Sequence, residues 1–389
     1  MSHVSGEGTL SLKVPPAALM ALFGALVGLG ACKDSASPDP ILPVVPDSFL
    51  AISQPQGFSV RDLGTLGGDS SVANAINQFN RVVGMSKAAS GEIRGFFWTP
   101  ATQTMTDIGT LGGSFAVAYD LNGVDEIVGQ STTAAGEFHA FFKKPGQPMV
   151  DLGTLGGDYS IAFGVSSQSA VVGLSRVPSG ELHAFKWTAA GGMIDLGTLG
   201  GDYSVGYAID PSGQITGYSR TPGGSLHAFR LGPNGSMVDL GTLGGPESWG
   251  QDASNFGSTN YVAGYSLVRI ADPGVSGADR PSPSNLWIVY HAFRWTQHQG
   301  MVDLGAAGGL HSFGFGVNEF GDVVGQIVNL LGEDRAFFWT EQGGFTNLGT
   351  LGGNGSFAFG VNTCGNTVGG ARTAAGELHA AMWTQPCIH

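Results

Sequence analysis

The sequence predicts an all-β fold, a seven-bladed β-propeller whose blades are four-stranded antiparallel sheets. Three observations support this prediction. A glycine-rich phrase recurs seven times, usually at an interval of 44 residues, and begins at Asp62, Asp107, Asp151, Asp195, Asp239, Asp303 and Asn347. Repeats of about 20 to 50 residues are typical of solenoids, propellers and arrays. Each period contains four short apolar segments between turn-forming residues, and the chain begins and ends with parts of one such set.

The first 31 residues have the character of an export signal. Lys13 precedes the apolar stretch VPPAALMALFGALVGLGA, which is too short and too interrupted for a membrane-spanning helix. The stretch ends in Leu29, Gly30, Ala31 and Cys32, and this ending resembles the lipobox of bacterial lipoproteins. The resemblance implies cleavage before Cys32 and lipid on that cysteine. An ordinary signal peptide with an incidental cysteine, or a short anchor helix, is the alternative.

The residues after the cysteine suggest where such a lipoprotein resides. Lys33 stands at the position where an aspartate would favour the inner membrane in the lipoproteins that this ending resembles. Residues 32–55 are rich in Pro, Ser and Asp, a composition typical of an extended tether. We therefore predict a signal peptide over residues 1–31, a lipid-anchored tether over 32–55 and the propeller over 56–389. The expected location is the cell envelope, as an outer-membrane lipoprotein or at the cell surface.

The strands of one period are clearest in residues 157–196. The segments DYSIAFGV, AVVGLS, LHAFKWT and MIDLG alternate in polarity and predict four antiparallel strands, named A to D in chain order. Strand A often ends in Asn or Asp with a glycine three residues later, as in Asn318 and Gly321, which favours a tight AB hairpin. Strand B always contains a glycine, which predicts a close approach by a bulky group, and the Phe or Trp of strand C is the expected one.

The two ends of the repeat region distinguish a ring from a rod. The repeats begin with a lone D strand, FSVRDLG, and end after a C strand, LHAAMWT. A β-solenoid would need capping repeats at its ends, and neither end resembles one. A ring joins the first strand to the incomplete last blade, so we predict a propeller closed by its amino-terminal strand.

Composition excludes several function classes. The formal net charge is −13, and no cluster of Lys and Arg is present, which argues against nucleic acid as a partner. The 65 glycines and the plentiful apolar residues fit many short strands rather than disorder. No signature of a nucleophile elbow or a zinc protease occurs.

The phrase HAFRWT and its variants place a basic residue at the start of every C strand, namely Arg94, His139, His183, His227, His291, Arg335 and His379. Histidines in separate blades cannot converge on one substrate, and arginine neither binds a metal nor accepts a proton at neutral pH. We expect each to donate hydrogen bonds to oxygen atoms within or between blades, much as the polar residues of WD-repeat propellers do.

The glycine phrase has no Lys, and a strand rather than a helix follows it, so it is not a phosphate loop. Asp69, Asp158 and Asp202 follow it in three copies, where weak calcium binding is an alternative to solvated loop residues. We expect neither a cofactor nor a metal.

Together, HAFRWT, MVDLGTLGG and GVNEFGDVVG resemble the HAF-type extracellular repeat, a family of predicted bacterial exported proteins. The resemblance spans residues 57–384 and implies export and repetition. It transfers no catalytic or binding residues.

Function is expected where the repeat symmetry breaks, and the main break is an insertion over residues 267–290 in the fifth blade. Because BC and DA loops share one face of a propeller, the insertion should overhang the face that carries the glycine phrases. The candidate ligand-binding residues are Trp249, Arg269, Asp272, Asp279, Arg280, Trp287 and Tyr290. The alternative is a loop whose Trp packs against its own residues.

Cys364 and Cys387 both fall in the last blade, where a disulfide would hold the ring closed, and two unrelated buried thiols are the alternative. We predict a binding or scaffolding module for a glycan, peptide or protein partner, attached to the membrane through a lipid anchor only. A propeller-type hydrolase or lyase acting on extracellular polysaccharide through acidic residues of the loop face is the alternative.

Overall fold

Seven four-stranded antiparallel sheets make up the part of the chain that the structure describes. This computed structural model describes residues 57–232, 234–271 and 286–387, so the predicted signal peptide and tether lie outside it. Within these ranges, no helix has the length and apolar character that crossing a membrane requires. The predicted all-β, seven-bladed propeller is confirmed.

The first four blades are regular, and their strands follow the order A, B, C, D. Blade 1 contains β2 (Gly67–Ile76), β3 (Val82–Ala88), β4 (Ile93–Trp98) and β5 (Met105–Asp107). Blade 2 contains β6 (Gly112–Leu121), β7 (Ile127–Thr133), β8 (Phe138–Lys143) and β9 (Met149–Asp151). Blade 3 contains β10 (Ser160–Val165), β11 (Val171–Arg176), β12 (Leu182–Thr188) and β13 (Gly192–Asp195). Blade 4 contains β14 (Ser204–Ile209), β15 (Ile215–Arg220), β16 (Leu226–Leu231) and β17 (Met237–Asp239).

The last three blades include the longest strands and the closure. Blade 5 contains β18 (Ser248–Phe256), β19 (Thr259–Ala271), β20 (Leu286–Thr296) and β21 (Gly300–Gly305). Blade 6 contains β22 (His311–Val317), β23 (Val323–Val328), β24 (Asp334–Thr340) and β25 (Gly344–Asn347). Blade 7 contains β26 (Gly352–Val361), β27 (Thr367–Thr373) and β28 (Leu378–Thr384), and its fourth strand is β1 (Ser59–Asp62).

The ring closes through the pairing of the first strand with the last. Strand β1 runs antiparallel to β28, with Ser59 opposite Thr384 and Asp62 opposite Ala381. The Leu63 amide also donates to the carbonyl of Ala380 over 2.9 Å. The seven A strands contact one another in sequence around the ring, and β26 contacts β2, so the A strands surround the axis.

Every A strand contains a bulge, and the bulge explains the glycine in strand B. In blade 3, Ala162 lies opposite Gly173, and the register then shifts by one residue before Gly164. A Cβ built on Gly173 would lie 1.9 Å from the carbonyl oxygen of Ile161 and 2.7 Å from the ring of Phe185. The expected aromatic neighbour is therefore present, but the closer obstacle is the backbone of strand A.

A serine near the start of strand A links neighbouring blades. Ser160 accepts a hydrogen bond from the Ala140 amide of blade 2 over 2.8 Å and donates to the Gly153 carbonyl over 2.6 Å. The same arrangement recurs at the closure, where the Ala380 amide donates to Ser71 over 2.8 Å. The alanine of the HAF phrase is fully buried at this contact, as Ala140 and Ala380 show.

The AB turns form a second set of links between blades. Asn122 Oδ1 accepts from the amides of Val124 and Glu126, which closes its own turn, and its Nδ2 donates to the Ser166 carbonyl of blade 3 over 3.0 Å. At the closure, Asn362 Nδ2 donates to the carbonyl of Asn77 over 3.1 Å. The predicted Asx turns therefore also join neighbouring blades.

The disulfide that the sequence left open is present. Cys364 lies in the AB turn of blade 7, and Cys387 lies just beyond β28, with 4.6 Å between their Cα atoms. The bond connects the turn to the carboxyl-terminal segment on the side of the ring opposite the glycine phrases. It therefore holds β28, the strand on which the closure depends, within its own blade.

Candidate functional site

The repeated histidine and the repeated aspartate form a pair within each blade. His183 Nδ1 on strand C lies 2.8 Å from Asp195 Oδ2 on strand D, and Asp195 Oδ1 accepts from the Gly197 amide over 2.7 Å. This geometry requires the proton on Nδ1. Four other blades contain the same pair, with distances of 2.7–3.0 Å, at His139, His227, His291 and His379.

Arginine fills the histidine position in two blades and contacts other oxygen atoms. Arg94 contacts Glu92 over 2.9 Å and lies 3.9 Å from Asp107, the aspartate of its own repeat. Arg335 donates to the carbonyls of Asp334 and Asn354. The basic residue of each repeat therefore has a structural partner, as the sequence predicted.

The aspartates that follow the glycine phrase are ion-paired. Asp158 contacts Arg176 over 2.7 Å, Asp202 contacts Arg220 over 2.7 Å, and Asp69 contacts Lys87 over 2.9 Å. The hydrogen bond from Lys87 is the main cause that lowers the pKa of Asp69. A cationic side chain contacts each of these carboxylates, which does not favour the calcium alternative. Nor do the described residues contain any group of three or more His, Cys, Asp or Glu that would hold a metal ion.

The symmetry break in blade 5 is a long two-stranded ribbon. Strands β19 and β20 have 13 and 11 residues, against six or seven in the B and C strands of the other blades. Residues 268–271 pair with residues 286–289, four residues on each strand. At a rise of about 3.3 Å per residue, these four residues lengthen each of the two strands by about 13 Å.

Two of the predicted ligand-binding residues, Arg269 and Trp287, lie on this ribbon. Arg269 is exposed and lies opposite Ile288, while Ile270 lies opposite Trp287. Trp287 is 39% exposed and Ile288 is 54% exposed. Asp272, Asp279 and Arg280 lie outside the described residues.

The other two predicted residues belong to a packed aromatic cluster at the base of the ribbon. Trp249 is only 3% exposed and stacks on Tyr265 with 5.0 Å between ring centroids. Trp249, a predicted ligand-binding residue, is therefore not exposed to a ligand, because strand A carries it into the blade. Tyr290 is half-buried; its ring lies 5.8 Å from that of Trp249, and its amide donates to His311 Nδ1.

A second asymmetric region lies on the axis, and the sequence analysis did not identify it. The extra residue of each bulge lies on the innermost strand, and these residues are Asn74, Tyr119, Phe163, Tyr207, Gln251, Phe315 and Phe359. Six of the seven are partly exposed, and Phe163 is 9% exposed. We call these residues the axial ring. In the sequence they directly follow the small residue of strand A, a signal that a column-by-column reading of the repeats reveals.

The residue after the bulge is small in five blades and acidic in two. Asp120 in blade 2 accepts from the amides of Leu121 and Val165, each over 2.8 Å. Asp252 in blade 5 accepts in the same way from Ala253 and Val317, each over 2.8 Å. Desolvation by burial raises the pKa of Asp120 to about 6 and that of Asp252 to about 7. The charge of Asp120 adds to the rise at Asp252, so the two carboxylates interact.

Comparisons with known proteins bear on the fold alone. No protein-family model and no curated protein matches this chain. A puromycin-hydrolysing peptidase from Mycobacterium tuberculosis is similar in structure, with a TM-score of 0.50, 11% identity and coverage of 85% of this chain and 55% of the peptidase.

Two further structures are similar at lower TM-scores. The BP39L lectin from Burkholderia pseudomallei has a TM-score of 0.45 and 14% identity, over 82% of this chain and 96% of the lectin. TolB from Acinetobacter baumannii has a TM-score of 0.40 and 12% identity, over 72% of this chain, which spans 63% of the length of TolB. These likenesses extend to the propeller architecture and no further.

Proposed function

We propose that this chain is an exported, lipid-anchored propeller of the HAF-type repeat family that binds an extended peptide segment of a protein partner. The observation that carries the proposal is the blade 5 ribbon, which lengthens strands B and C of one blade in an otherwise regular ring. The basic residues of the repeats are occupied in structural contacts, so they do not distinguish one blade as a binding site.

The side chains of the ribbon suit a protein partner. Trp287 and Ile288 expose large apolar surfaces, and Arg269 lies across from Ile288. Trp and Arg are enriched among the residues that dominate protein–protein binding energy. On the adjacent blade, Leu330 is 44% exposed and Leu331 is 81% exposed in the BC turn, which belongs to the same face.

Among the described residues, no strand pairs with either outer edge of the ribbon. Leu267 directs its amide to Glu247 and accepts from Gly245, away from β20. Because successive residues of a strand point to opposite sides, the amide and carbonyl of Arg269 also point away from β20. On the other edge, the Tyr290 amide donates to His311, so the backbone groups of Ile288 point outward as well. Such edges bind extended peptides by strand addition.

Selection of peptides from a random display library on the mature chain tests the proposal. Selected peptides should bind the wild type, and both Trp287→Ala and Ile288→Ala should weaken binding about tenfold or more. Ile194→Ala is the matched control, because Ile194 is 52% exposed on strand D of blade 3, far from the ribbon in the chain. Peptides with N-methylated backbones should lose affinity if strand addition is the mode.

Two results would contradict this function. Equal effects of the Ile288 and Ile194 substitutions would remove the ribbon from the binding surface. Saturable binding to polysaccharides that Trp287→Ala abolishes, without peptide binding, would replace the peptide with a glycan. The hydrolase or lyase alternative depended on Asp272 and Asp279, which lie outside the described residues, and it stays an untested prediction.

The lipid anchor is part of the proposal and has its own test. The ending Leu29-Gly30-Ala31-Cys32 and the tether after it support it. Cells that express the full chain and are fed an alkyne-labelled fatty acid should label the wild type but not Cys32→Ser. Label that persists in Cys32→Ser would contradict the anchor without affecting the ribbon.

A further inference from the structure

We propose that the propeller axis holds a binding site for an organic ammonium group, formed by the axial ring and by the carboxylates of Asp120 and Asp252. This site is independent of the blade 5 ribbon. It lies on the innermost strands, whereas the ribbon is an extension of strands B and C.

Aromatic rings form two arcs of the axial ring. Phe163 lies 5.2 Å from Tyr119 and is stacked on Tyr207 at 4.6 Å, measured between ring centroids. On the other arc, Phe315 lies 5.3 Å from Phe359. These residues are on the innermost strands, so their remaining accessible surface faces the axis or its openings. Aromatic faces attract ammonium groups through the ring quadrupole.

Two hydroxyl groups of the ring have no hydrogen-bond partner among the described residues. Within the described part of the chain, Tyr119 and Tyr207 form no side-chain hydrogen bond, and both residues are partly exposed. Burial raises the pKa of both groups above the usual range, so both stay neutral. A ligand on the axis would therefore meet tyrosine hydroxyl groups that are free to form hydrogen bonds with its polar groups, such as the hydroxyl of an amino alcohol.

The two acidic residues of the innermost strands have no cationic partner among the described residues. Asp120 and Asp252 are held by backbone amides of the next blade, and neither forms an ion pair among the described residues. The corresponding residues of the other blades are Ala75, Gly164, Ala208, Gly316 and Gly360. Blades 2 and 5 are three positions apart in a ring of seven, so the two acidic residues belong to innermost strands on different sides of the axis.

These features together favour a cation over other ligands. An anion would be repelled by the carboxylates, and a neutral apolar molecule would leave them uncompensated. A bare metal ion would prefer a shell of oxygen ligands, whereas the axial ring is mostly aromatic. An organic ammonium satisfies both parts, because its charge pairs with the carboxylates and its carbon atoms pack on the rings.

Calorimetric titration of the mature protein with choline and with its neutral carbon isostere, 3,3-dimethylbutan-1-ol, tests the site. Choline should bind saturably and about tenfold or more tightly than the isostere. Asp252→Asn and Phe163→Leu should each weaken choline about tenfold. Asp195→Asn, which alters an exposed aspartate of a His–Asp pair on the rim, is the matched control and should leave choline affinity unchanged.

A pH series separates a direct role of the carboxylates from a structural one. Asp120 and Asp252 are the charged groups that act on each other at the axis. Protonation removes their attraction for the cation, so choline affinity of the wild type should fall about tenfold from about pH 8 to about pH 5. The Asp120→Asn, Asp252→Asn double variant should show a flat profile for whatever binding remains.

Four results would overturn the inference. They are equal affinity for choline and the isostere, no saturable choline binding up to about 100 mM, choline affinity unchanged by Asp252→Asn, and displacement of choline by stoichiometric calcium. The last result would assign the axis to a metal ion. None of them bears on peptide binding at the ribbon, so this proposal and the proposed function fail separately.

Discussion

Single residues in this propeller have structural roles that recur from repeat to repeat. The histidine of strand C holds the aspartate that begins the glycine phrase, and that aspartate caps the next turn. Partial burial acts to raise the pKa of Asp303, but hydrogen bonds from His291 and Gly305 outweigh it and leave the pKa below its usual range. The sequence predicted a donor role for the histidine because arginine replaces it. It did not identify the aspartate as partner, because the pairing of strands C and D decides which residues meet.

The strand B glycines are residues at which the fold should tolerate substitution poorly. In Gly173→Ala, the new Cβ would lie 1.9 Å from a backbone oxygen, which cannot move without disrupting strand A. We expect a loss of about 3 kcal/mol or more in the free energy of unfolding, or failure to fold. Gly223→Ala is the control, because its nearest neighbour would be 3.8 Å away, and it should change stability by less than about 0.5 kcal/mol. Urea unfolding of both variants measures the difference, and similar stability of the two would contradict the backbone clash.

One residue of the AB turns is suboptimal for the ring. Asp210 is 1% exposed and closes its turn through Oδ1, but its Oδ2 is buried without a hydrogen-bond partner in the described part of the protein. Asn122 at the same position of blade 2 donates its Nδ2 to the next blade. We therefore expect Asp210→Asn to stabilise the protein by about 1 kcal/mol, because an amide donor replaces a desolvated oxygen.

Thermal unfolding near neutral pH measures this effect. The reverse exchange, Asn122→Asp, is the matched control and should destabilise the protein by a similar amount. A lower melting temperature for Asp210→Asn would show that the carboxylate has a favourable partner that an amide cannot replace.

At the scale of elements, the strand A bulge has the greatest influence. It brings a carbonyl against strand B, turns the extra residue towards the axis and places Asp120 and Asp252 within reach of the next blade. Strand identity and the AB turns could be predicted from polarity and turn residues. The bulge could not, because a single inserted residue changes which side chains share a face without changing composition. The axial ring was missed for that reason.

The two bulge carboxylates predict a pH dependence of stability. The pKa values of Asp120 and Asp252 in the folded state, about 6 and about 7, lie above the ordinary aspartate value of 3.8. At pH values between the ordinary value and the folded value, the folded state therefore binds more protons than the unfolded state. Stability from these groups is therefore greatest at low pH and falls as the pH rises from about 4 to about 8, by up to about 3 or 4 kcal/mol for each group.

The difference between the wild type and the Asp120→Asn, Asp252→Asn double variant isolates this effect. It removes the opposite contribution of His311, whose pKa burial lowers and whose protonation costs stability on acidification. Melting temperatures over about pH 5 to 8 should show the wild type losing stability relative to the variant as the pH rises. A constant difference would mean that the carboxylates titrate normally.

The position of the blade 5 ribbon could be predicted from the repeat, but its conformation could not. The insertion between Leu267 and Tyr290 was evident as a break in the period, and its face followed from the order of strands. Its conformation was not evident, since the extension of β19 and β20 keeps Trp287 exposed while Trp249 is buried. A lone tryptophan in a sequence gives no sign of which side of a strand it occupies unless the register is known.

For the whole molecule, the ring was predictable because the sequence shows which strand of the repeat comes first and which comes last. The repeat region starts with a D strand and stops after a C strand, so its first strand can complete its last blade. This pairing accompanies the burial of Leu63 and Trp383. Stability then depends on a joint between segments more than 300 residues apart, which include His379 and Asp62 at a sequence separation of 317. The disulfide of Cys364 and Cys387 strengthens one side of that joint.

Blade 7, which closes the ring, should therefore be more sensitive than the other blades to loss of its His–Asp contact. Asp62→Ala removes the partner of His379 at the joint, and Asp195→Ala removes the equivalent partner of His183 in blade 3. In blade 3 a short turn keeps strands C and D together, whereas in blade 7 the two strands are joined only through the ring, so separating them gains more chain entropy. We expect Asp62→Ala to lower the melting temperature more than Asp195→Ala, and reduction of the disulfide to widen the gap. Limited proteolysis should cut the Asp62→Ala variant first near β1. Equal losses in melting temperature in the two variants, with no early cleavage near β1, would show that the ring does not depend on this joint.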